Sequence, residues 1–256
     1  MVSIKDISVM VTEFLGSFFI VFTTCWSYTV LRTEKGPNYL AIAITNGLMT
    51  AAVVWAGVTF SGAHFNPVIT LVKLFARTIN LNRAALYLVS QLSASFLATL
   101  LILLMSPSFS KQDASQGFIF PEKNERNSYF QAFVMEGILS MLYVFVYFAT
   151  IIDKRAPSNI FGFALGAVIM LGTLAAGPFS GGVVNPARIF GPYIVRSEVH
   201  DMINYWLAMV GGGVFAGFYY DFFLIKNEGM DDEDEHPEAS AVLNKSHKPN
   251  SDDLRF

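Results

Sequence analysis

Two related eight-residue segments, identical at four positions, lie almost half a chain apart in this sequence. The first copy reads Ser61-Gly62-Ala63-His64-Phe65-Asn66-Pro67-Val68, and the second reads Ser180-Gly181-Gly182-Val183-Val184-Asn185-Pro186-Ala187. Asparagine is a favoured helix N-cap, and proline is tolerated at the first helical position. Each copy therefore predicts the start of a helix. Because the asparagines stand at positions 66 and 185, the repeat has an offset of 119 residues.

The composition is that of a membrane protein. Hydrophobic residues make up 53% of the chain and charged residues only 14%, whereas a soluble domain carries about 25% charged residues. A helix needs about 20 apolar residues to cross the hydrocarbon core of a bilayer. The chain offers six such runs, near 7–31, 39–60, 84–105, 129–152, 159–177 and 203–225. These runs predict an all-α membrane protein with six transmembrane helices.

The repeat divides the predicted membrane domain, 1–226, into repeat one (about 7–105) and repeat two (about 129–226). Each half contains three spans and one Asn-Pro half-helix. Since three is an odd number, the two halves must have opposite orientations in the membrane. The half-helices then enter from opposite faces and point at one shared site, as in an inverted internal repeat.

Two acidic residues occupy matching places in the first span of each half. Glu13 and Glu136 lie within apolar runs, where a carboxylate is costly and has to bind something polar. We expect them to support the pore loops by accepting hydrogen bonds from the backbone before each half-helix. His64 lies in the first loop, and we expect it either to be held structurally by hydrogen bonds or to act in pH gating.

The remaining segments exclude several function classes. Residues 227–256 carry nine acidic and three basic side chains, which predicts a disordered acidic tail in the cytosol. There is no basic patch for nucleic acid, and neither a metal-binding spacing nor a nucleotide loop is present, so no cofactor is expected. Basic residues are balanced between the two sides and do not settle the orientation.

At these residues the chain resembles the aquaporin family, also called the major intrinsic proteins. The motifs that carry the resemblance are Ser61-Gly-Ala-His-x-Asn-Pro and Asn185-Pro-Ala-Arg-x-Phe-Gly-Pro, with the paired glutamates and Tyr205-Trp206. The resemblance implies six tilted helices and two half-helices, homotetramers with one pore in each subunit, and both termini in the cytosol. It places the chain in a multi-pass location in the plasma membrane or an intracellular membrane.

The resemblance also implies a selectivity filter at Asn46, Thr173, Gly182 and Arg188. Neither the residue set of strict water channels nor that of glycerol channels is present, so we expect a wider and more polar opening. Ile189, where glycerol channels carry aspartate, favours the water-channel branch. Val68 replaces the usual alanine after the first Asn-Pro pair, and it is either a packing variation or a change at the pore junction.

The predicted function is a passive channel for water and other small neutral solutes, namely ammonia, hydrogen peroxide, urea and glycerol. The centre of the predicted pore is formed by Asn66-Pro67-Val68 and Asn185-Pro186-Ala187. There the asparagine amides donate hydrogen bonds to the solute, and the positive ends of two helices oppose the passage of cations and the hopping of protons. One alternative is a weakly conducting or non-conducting membrane-junction or scaffold protein on the same fold. A coupled transporter is disfavoured because the spans contain few charges, and no accessible acid–base pair indicates an enzyme.

Overall fold

The computed structural model describes residues 3–33, 36–105, 129–156, 160–197 and 199–225. The polar connector at 106–128 and the acidic tail at 227–256 lie outside the described residues, so the predictions for them stay predictions. The chain divides into two units, residues 1–218 and residues 219–256. The first unit contains both sequence repeats almost entirely.

The described residues are mainly helical. The helices are α1 (Ile4–Val30), α2 (Tyr39–Ser61), α3 (Pro67–Phe75), α4 (Leu81–Met105), α5 (Tyr129–Tyr147), α6 (Phe161–Ala176), α7 (Pro186–Arg196) and α8 (Val199–Tyr219). Short π-helical segments follow α5 at Phe148–Ile152 and α8 at Tyr220–Ile225. A two-stranded hairpin, β1 (Arg32–Thr33) and β2 (Gly36–Pro37), joins α1 to α2.

The helices agree with the predicted spans. Within the described residues, five helical segments are long and apolar enough to cross a membrane, and they correspond to α1, α2, α4, α5 and α8. The sixth predicted span is α6, which has 16 residues. At 1.5 Å per residue it is about 24 Å long, shorter than the hydrocarbon core. The chain then enters the loop of the second repeated motif instead of continuing as helix.

The order of the helices repeats. In each half a long helix is followed by a second span, by a short helix that begins at proline, and by a third span. The short helices are α3, with 9 residues, and α7, with 11 residues. Both predicted helix starts are therefore present. Three spans in each half give the halves opposite orientations, and this confirms the inverted arrangement.

Small residues let α2 and α6 approach closely. A Cβ atom added at Gly47 would lie 2.7 Å from the Gly166 carbonyl oxygen, and a Cβ at Gly166 would overlap the Gly47 carbonyl oxygen. A Cβ at Gly162 would lie 2.8 Å from the carbonyl oxygen of Ala51. Helix association in membranes depends on such close backbone packing, because lipid tails supply no hydrophobic force between helices. The α2–α6 pair fixes the second spans of both repeats relative to each other.

We expect Gly166→Ala to destabilise the protein by about 1–3 kcal/mol, because the added methyl group has to push two backbones apart. Gly211→Ala is the matched control, since a Cβ at Gly211 has no neighbouring atom within 4 Å. The measurement is thermal unfolding of both purified variants in detergent. Equal melting temperatures for the two variants would contradict the close approach of α2 and α6.

Candidate functional site

The two short helices begin with the same cap. The side chain of Asn66 accepts a hydrogen bond of 2.9 Å from the backbone N–H of Val68, and the side chain of Asn185 accepts one of 2.9 Å from Ala187. Proline follows each asparagine at the first helical position, where the missing N–H costs nothing. Each cap fixes the asparagine oxygen toward its own helix and turns the amide nitrogen away from it.

The amide nitrogens of the two asparagines make equivalent hydrogen bonds to the opposite loops. Asn66 Nδ2 donates to the Val184 carbonyl oxygen at 3.1 Å, and Asn185 Nδ2 donates to the Phe65 carbonyl oxygen at 2.8 Å. Phe65 and Val184 occupy equivalent positions of the two motifs, so a local two-fold relation joins the halves. A side-chain amide carries two N–H groups. One of them is used in each of these bonds, so each amide has a second N–H that the crossed bonds do not use.

The loops before the helices have an unusual backbone that repeats with the motif. Several of their residues have positive φ, a conformation that costs non-glycine residues of order 1–3 kcal/mol each. In the first loop these are Gly62 (81°), Ala63 (48°) and Phe65 (45°), and in the second loop Gly181 (94°), Gly182 (54°) and Val184 (59°). Such a backbone cannot form helical hydrogen bonds, so its N–H groups need other acceptors within the membrane.

Glu13 supplies these acceptors for the first loop. Its carboxylate is fully buried and accepts bonds from Ser61 Oγ at 2.6 Å, His64 N at 2.9 Å and Phe65 N at 2.8 Å. Gln91 Nε2 donates a fourth bond at 2.8 Å. The carboxylate therefore accepts four hydrogen bonds, three of them from the loop that precedes α3.

Glu136 does the same for the second loop. It is fully buried and accepts bonds from Ser180 Oγ at 2.6 Å, Val183 N at 2.9 Å and Val184 N at 2.8 Å. The three donors stand 119 positions after their counterparts in the first loop. Two equivalent carboxylates therefore hold two equivalent strained loops.

Three tyrosines also hold the loops, and the sequence analysis did not identify this role. Tyr87 donates to the Ser61 carbonyl oxygen, and Tyr205 donates to the Ser180 carbonyl oxygen at 2.9 Å. Tyr147 donates to the Gly62 carbonyl oxygen at 2.7 Å. Tyr205 stood out only as part of an aromatic pair, because nothing in the sequence connects it with a loop 25 residues earlier.

A narrow cavity extends from the paired asparagines to Arg188. It has a volume of about 10 Å³, room for about one water molecule, and its lining consists of Ile20, Thr24, Thr50, Asn66, Tyr143, Ile169, Val183, Asn185 and Arg188. All these residues belong to the first unit of the chain. The lining combines apolar walls with hydroxyl, amide and guanidinium groups, a pattern typical of small-molecule sites.

Arg188 contributes a guanidinium to the cavity lining. It lies on the first turn of α7 and is 3% exposed. Its Nη1 donates to the carbonyl oxygens of Gly182, at 2.5 Å, and Val183, at 3.3 Å. Its Nε and Nη2 have no hydrogen-bond partner among the described residues. The loop thus fixes one side of the guanidinium and leaves the remaining donors unused.

The other predicted filter residues do not line the cavity. Asn46 on α2 is buried, its Oδ1 accepts a weak bond of 3.4 Å from Ser27, and its Nδ2 has no partner among the described residues. Thr173 Oγ1 donates to the Ile169 carbonyl oxygen of its own helix. A Cβ at Gly182 would lie 3.0 Å from the Thr173 backbone nitrogen. Of the four predicted residues, only Arg188 belongs to the lining.

His64 lies in a pocket of aromatic and polar groups. Its ring stacks on Tyr87 at 4.1 Å and meets Tyr147 edge-on at 6.2 Å. Nδ1 shares a hydrogen bond of 3.0 Å with Thr70 Oγ1, while Nε2 has no partner among the described residues. One ring nitrogen is thus held by a hydrogen bond, as expected of a structural histidine.

Val68 packs away from the cavity. A Cβ at Gly213 on α8 would overlap Val68 Cγ1, so the valine side chain fills the notch that this glycine leaves. Val68 is fully buried and is not part of the cavity lining. The extra bulk relative to alanine is therefore taken up by α8.

One face of α1 borders the cavity, and it was not predicted from the sequence. Ile20 and Thr24 line it, and Tyr28 follows one turn later, with its ring centroid 5.8 Å from Arg188 Cζ. These residues lie 7, 11 and 15 positions after Glu13, which is helical spacing on one face. Extending that face from the buried carboxylate could have found them. No group of three potential metal ligands occurs in the part of the chain that the structure describes.

We expect Glu13→Gln to destabilise the protein by about 1.5–3 kcal/mol, because one charged acceptor oxygen becomes an NH₂ that faces two donors. Ser17→Ala is the control on the same helix, since Ser17 is fully buried but its Oγ has no described partner. Thermal unfolding in detergent measures both changes. A Glu13→Gln variant as stable as Ser17→Ala would contradict the role of the carboxylate.

Comparisons with known proteins identify the family of this chain. The profile of the family described as "Major intrinsic protein" matches residues 1–220. Probable aquaporin NIP4-2 of Arabidopsis thaliana is 34% identical over 225 residues, covering 86% of this chain and 76% of the relative. Nodulin-26 of Glycine max is 32% identical over 224 residues, with coverage of 86% and 79%.

The fold also has a solved counterpart. The X-ray structure of the aquaglyceroporin from Plasmodium falciparum matches with a TM-score of 0.71 and 20% identity, covering 86% of this chain and 97% of that chain. At this identity the likeness shows the fold alone. Members of the matched family are channels and not enzymes. The family profile and the relatives together show that this chain belongs to the major intrinsic proteins, the aquaporin family.

Proposed function

We propose that this chain is a passive channel for water and small neutral solutes that excludes ions and protons. The observation that carries the proposal is the pair of crossed asparagine bonds beside a buried cavity in the membrane domain. Entry into a membrane pore requires that lost hydrogen bonds to water be replaced. Each asparagine retains one amide N–H that is not needed for the crossed bonds, so the centre offers two donors to a passing oxygen.

Exclusion of cations follows from two features of the same site. The N-termini of α3 and α7 meet at the asparagines, and each carries a partial positive charge of about half an elementary charge. Arg188 adds a full charge to the cavity lining. A cation meets positive potential at both places, whereas a neutral dipolar molecule can turn and pass. A water that accepts both amide donors keeps its hydrogens outward, which interrupts a proton-conducting chain.

The predicted filter positions support a wide range of neutral solutes. Asn46, Thr173 and Gly182 carry no aromatic side chain, so the steric barrier that a bulky ring would provide is missing there. The solutes expected to pass such an opening are water, ammonia, hydrogen peroxide, urea and glycerol. Selectivity is then set by hydrogen bonding at Arg188 more than by size.

The proposal includes a location and an assembly. The channel is an integral multi-pass membrane protein of the plasma membrane or an intracellular membrane, assembled as a homotetramer with one pore in each subunit. Six spans bring both termini to the same side, and the acidic tail at 227–256 favours the cytosol for that side. The alternative is a non-conducting junction protein on the same fold. The next experiment distinguishes it from a channel.

We expect proteoliposomes with the purified protein to shrink faster than empty liposomes in stopped-flow osmotic assays, with no increase in proton or sodium flux. Replacement of both Asn66 and Asn185 by leucine removes the central donors and should reduce water flux at least tenfold. Gly211→Ala is the conducting control. Water flux of the wild type no faster than that of empty liposomes would favour the junction protein, and unchanged flux in the double variant would refute the mechanism.

A second variant tests the filter positions. Asn46→Phe combined with Thr173→His adds two rings to the predicted opening, so glycerol and urea flux should fall at least tenfold while water flux changes little. The measurement is the ratio of glycerol to water permeability in the same vesicles. An unchanged ratio would show that these residues do not form the filter.

A further inference from the structure

One aromatic ring contributes to the wall of the cavity that the paired asparagines line. Among the described residues of this wall, Tyr143 on α5 carries the only aromatic side chain. Tyr143 is 2% exposed, so its ring is packed within the protein. The cavity has a volume of about 10 Å³, and a cavity needs roughly that much to hold one water molecule. The ring therefore borders the channel where there is room for about one water.

The internal repeat gives Tyr143 a counterpart in the first half. Tyr143 follows Glu136 by seven residues, and Ile20 on α1 follows Glu13 by seven residues. Seven residues are about two helical turns, so each side chain lies on the same helix face as the carboxylate that holds the loop. Both Tyr143 and Ile20 line the cavity. The two halves therefore place a tyrosine and an isoleucine at equivalent positions of its wall.

A second pair of wall residues is nearly matched in size. Thr50 and Ile169 both line the cavity, and they stand sixteen residues before the two cap asparagines. The Thr50 hydroxyl donates to the Asn46 carbonyl oxygen of its own helix at 2.9 Å. Ile169 is slightly larger than Thr50, whereas the ring of Tyr143 is much larger than the side chain of Ile20. The second half thus narrows the cavity mainly through Tyr143.

We propose that Tyr143 is a specificity-determining residue of the channel and that its ring limits the passage of neutral solutes larger than water. This inference rests on the proposed channel function. The predicted filter positions carry no ring, so a solute that passes Arg188 by hydrogen bonding still has to pass the ring of Tyr143. The limit on size therefore lies beside Asn66 and Asn185, and not at the predicted filter.

Size acts at this position because the ring is enclosed by other side chains. Protein interiors are close-packed, and extra atoms force neighbouring side chains out of their preferred rotamers at a cost in free energy. Water and ammonia have a single heavy atom each, whereas urea and glycerol have several. The larger solutes therefore have to displace the Tyr143 ring, while a water-sized molecule fits beside it. The ring slows urea and glycerol and leaves water and ammonia unaffected.

The test compares Tyr143→Ile and Tyr143→Phe with the wild type in proteoliposomes, measuring water, ammonia, urea and glycerol permeability in the same preparation. Tyr143→Ile introduces the residue that the first half carries at Ile20, whereas Tyr143→Phe removes the hydroxyl and keeps the ring. We expect Tyr143→Ile to raise the urea-to-water and glycerol-to-water ratios by about tenfold. Tyr143→Phe should leave both ratios near the wild-type values, and the ammonia-to-water ratio should stay unchanged in both variants.

Phe145→Ile is the matched control for the loss of a ring. Phe145 lies on the same helix, is 38% exposed and does not line the cavity. Its replacement should therefore leave every permeability ratio at the wild-type value.

Each outcome decides the inference. Ratios in Tyr143→Ile equal to those in Phe145→Ile overturn it while the channel function stands, and so does an equal rise in Tyr143→Phe, because the hydroxyl and not the ring would then be responsible. If the wild type conducts water but neither larger solute, glycerol flux in Tyr143→Ile supports the inference and its absence overturns it. A wild type that conducts no water refutes both proposals. If Tyr143→Ile gives no folded protein, Tyr143→Leu decides by the same criterion.

Discussion

The structure depends on how the backbone N–H groups of two non-helical loops find hydrogen-bond acceptors inside a membrane. Their backbone N–H groups have no helical partners, and a bilayer offers no water in place of them. Glu13 and Glu136 solve this problem with charged acceptors that bind two backbone N–H groups and one serine hydroxyl each. Because the loops are held in this way, the helices that follow can begin at the middle of the protein and not at its surface.

The repeat makes the centre symmetric. The positions at which the two halves carry different residues make its two ends chemically different. The caps, the crossed amide bonds and the carboxylates occur in both halves at equivalent positions. Arg188 has Ile69 as its counterpart in the first half, and His64 has Val183. The result is a cationic end beside α7 and an aromatic end beside His64, joined through a symmetric pair of amides. The duplicated fold thus builds the pore, and single substitutions distinguish its two ends.

The unpaired donors connect the fold with the proposed selectivity. Arg188 is costly within a membrane, and the loop carbonyl oxygens of Gly182 and Val183 satisfy only one of its nitrogens. The Tyr28 ring contributes to its orientation from α1. The polar groups that remain free at this end are mostly donors.

The sequence by itself determined the repeat, the six spans, the two helix starts and the need for Glu13 and Glu136 to bind polar groups. Local rules suffice for these features, since apolar length, capping and the cost of a buried charge act along the chain. Only the tertiary structure decided that Val68 packs into the notch at Gly213 and that Tyr28 stands beside Arg188. These contacts join residues 145 and 160 positions apart, where the packing of helices, and no local preference of the backbone, determines which side chains meet.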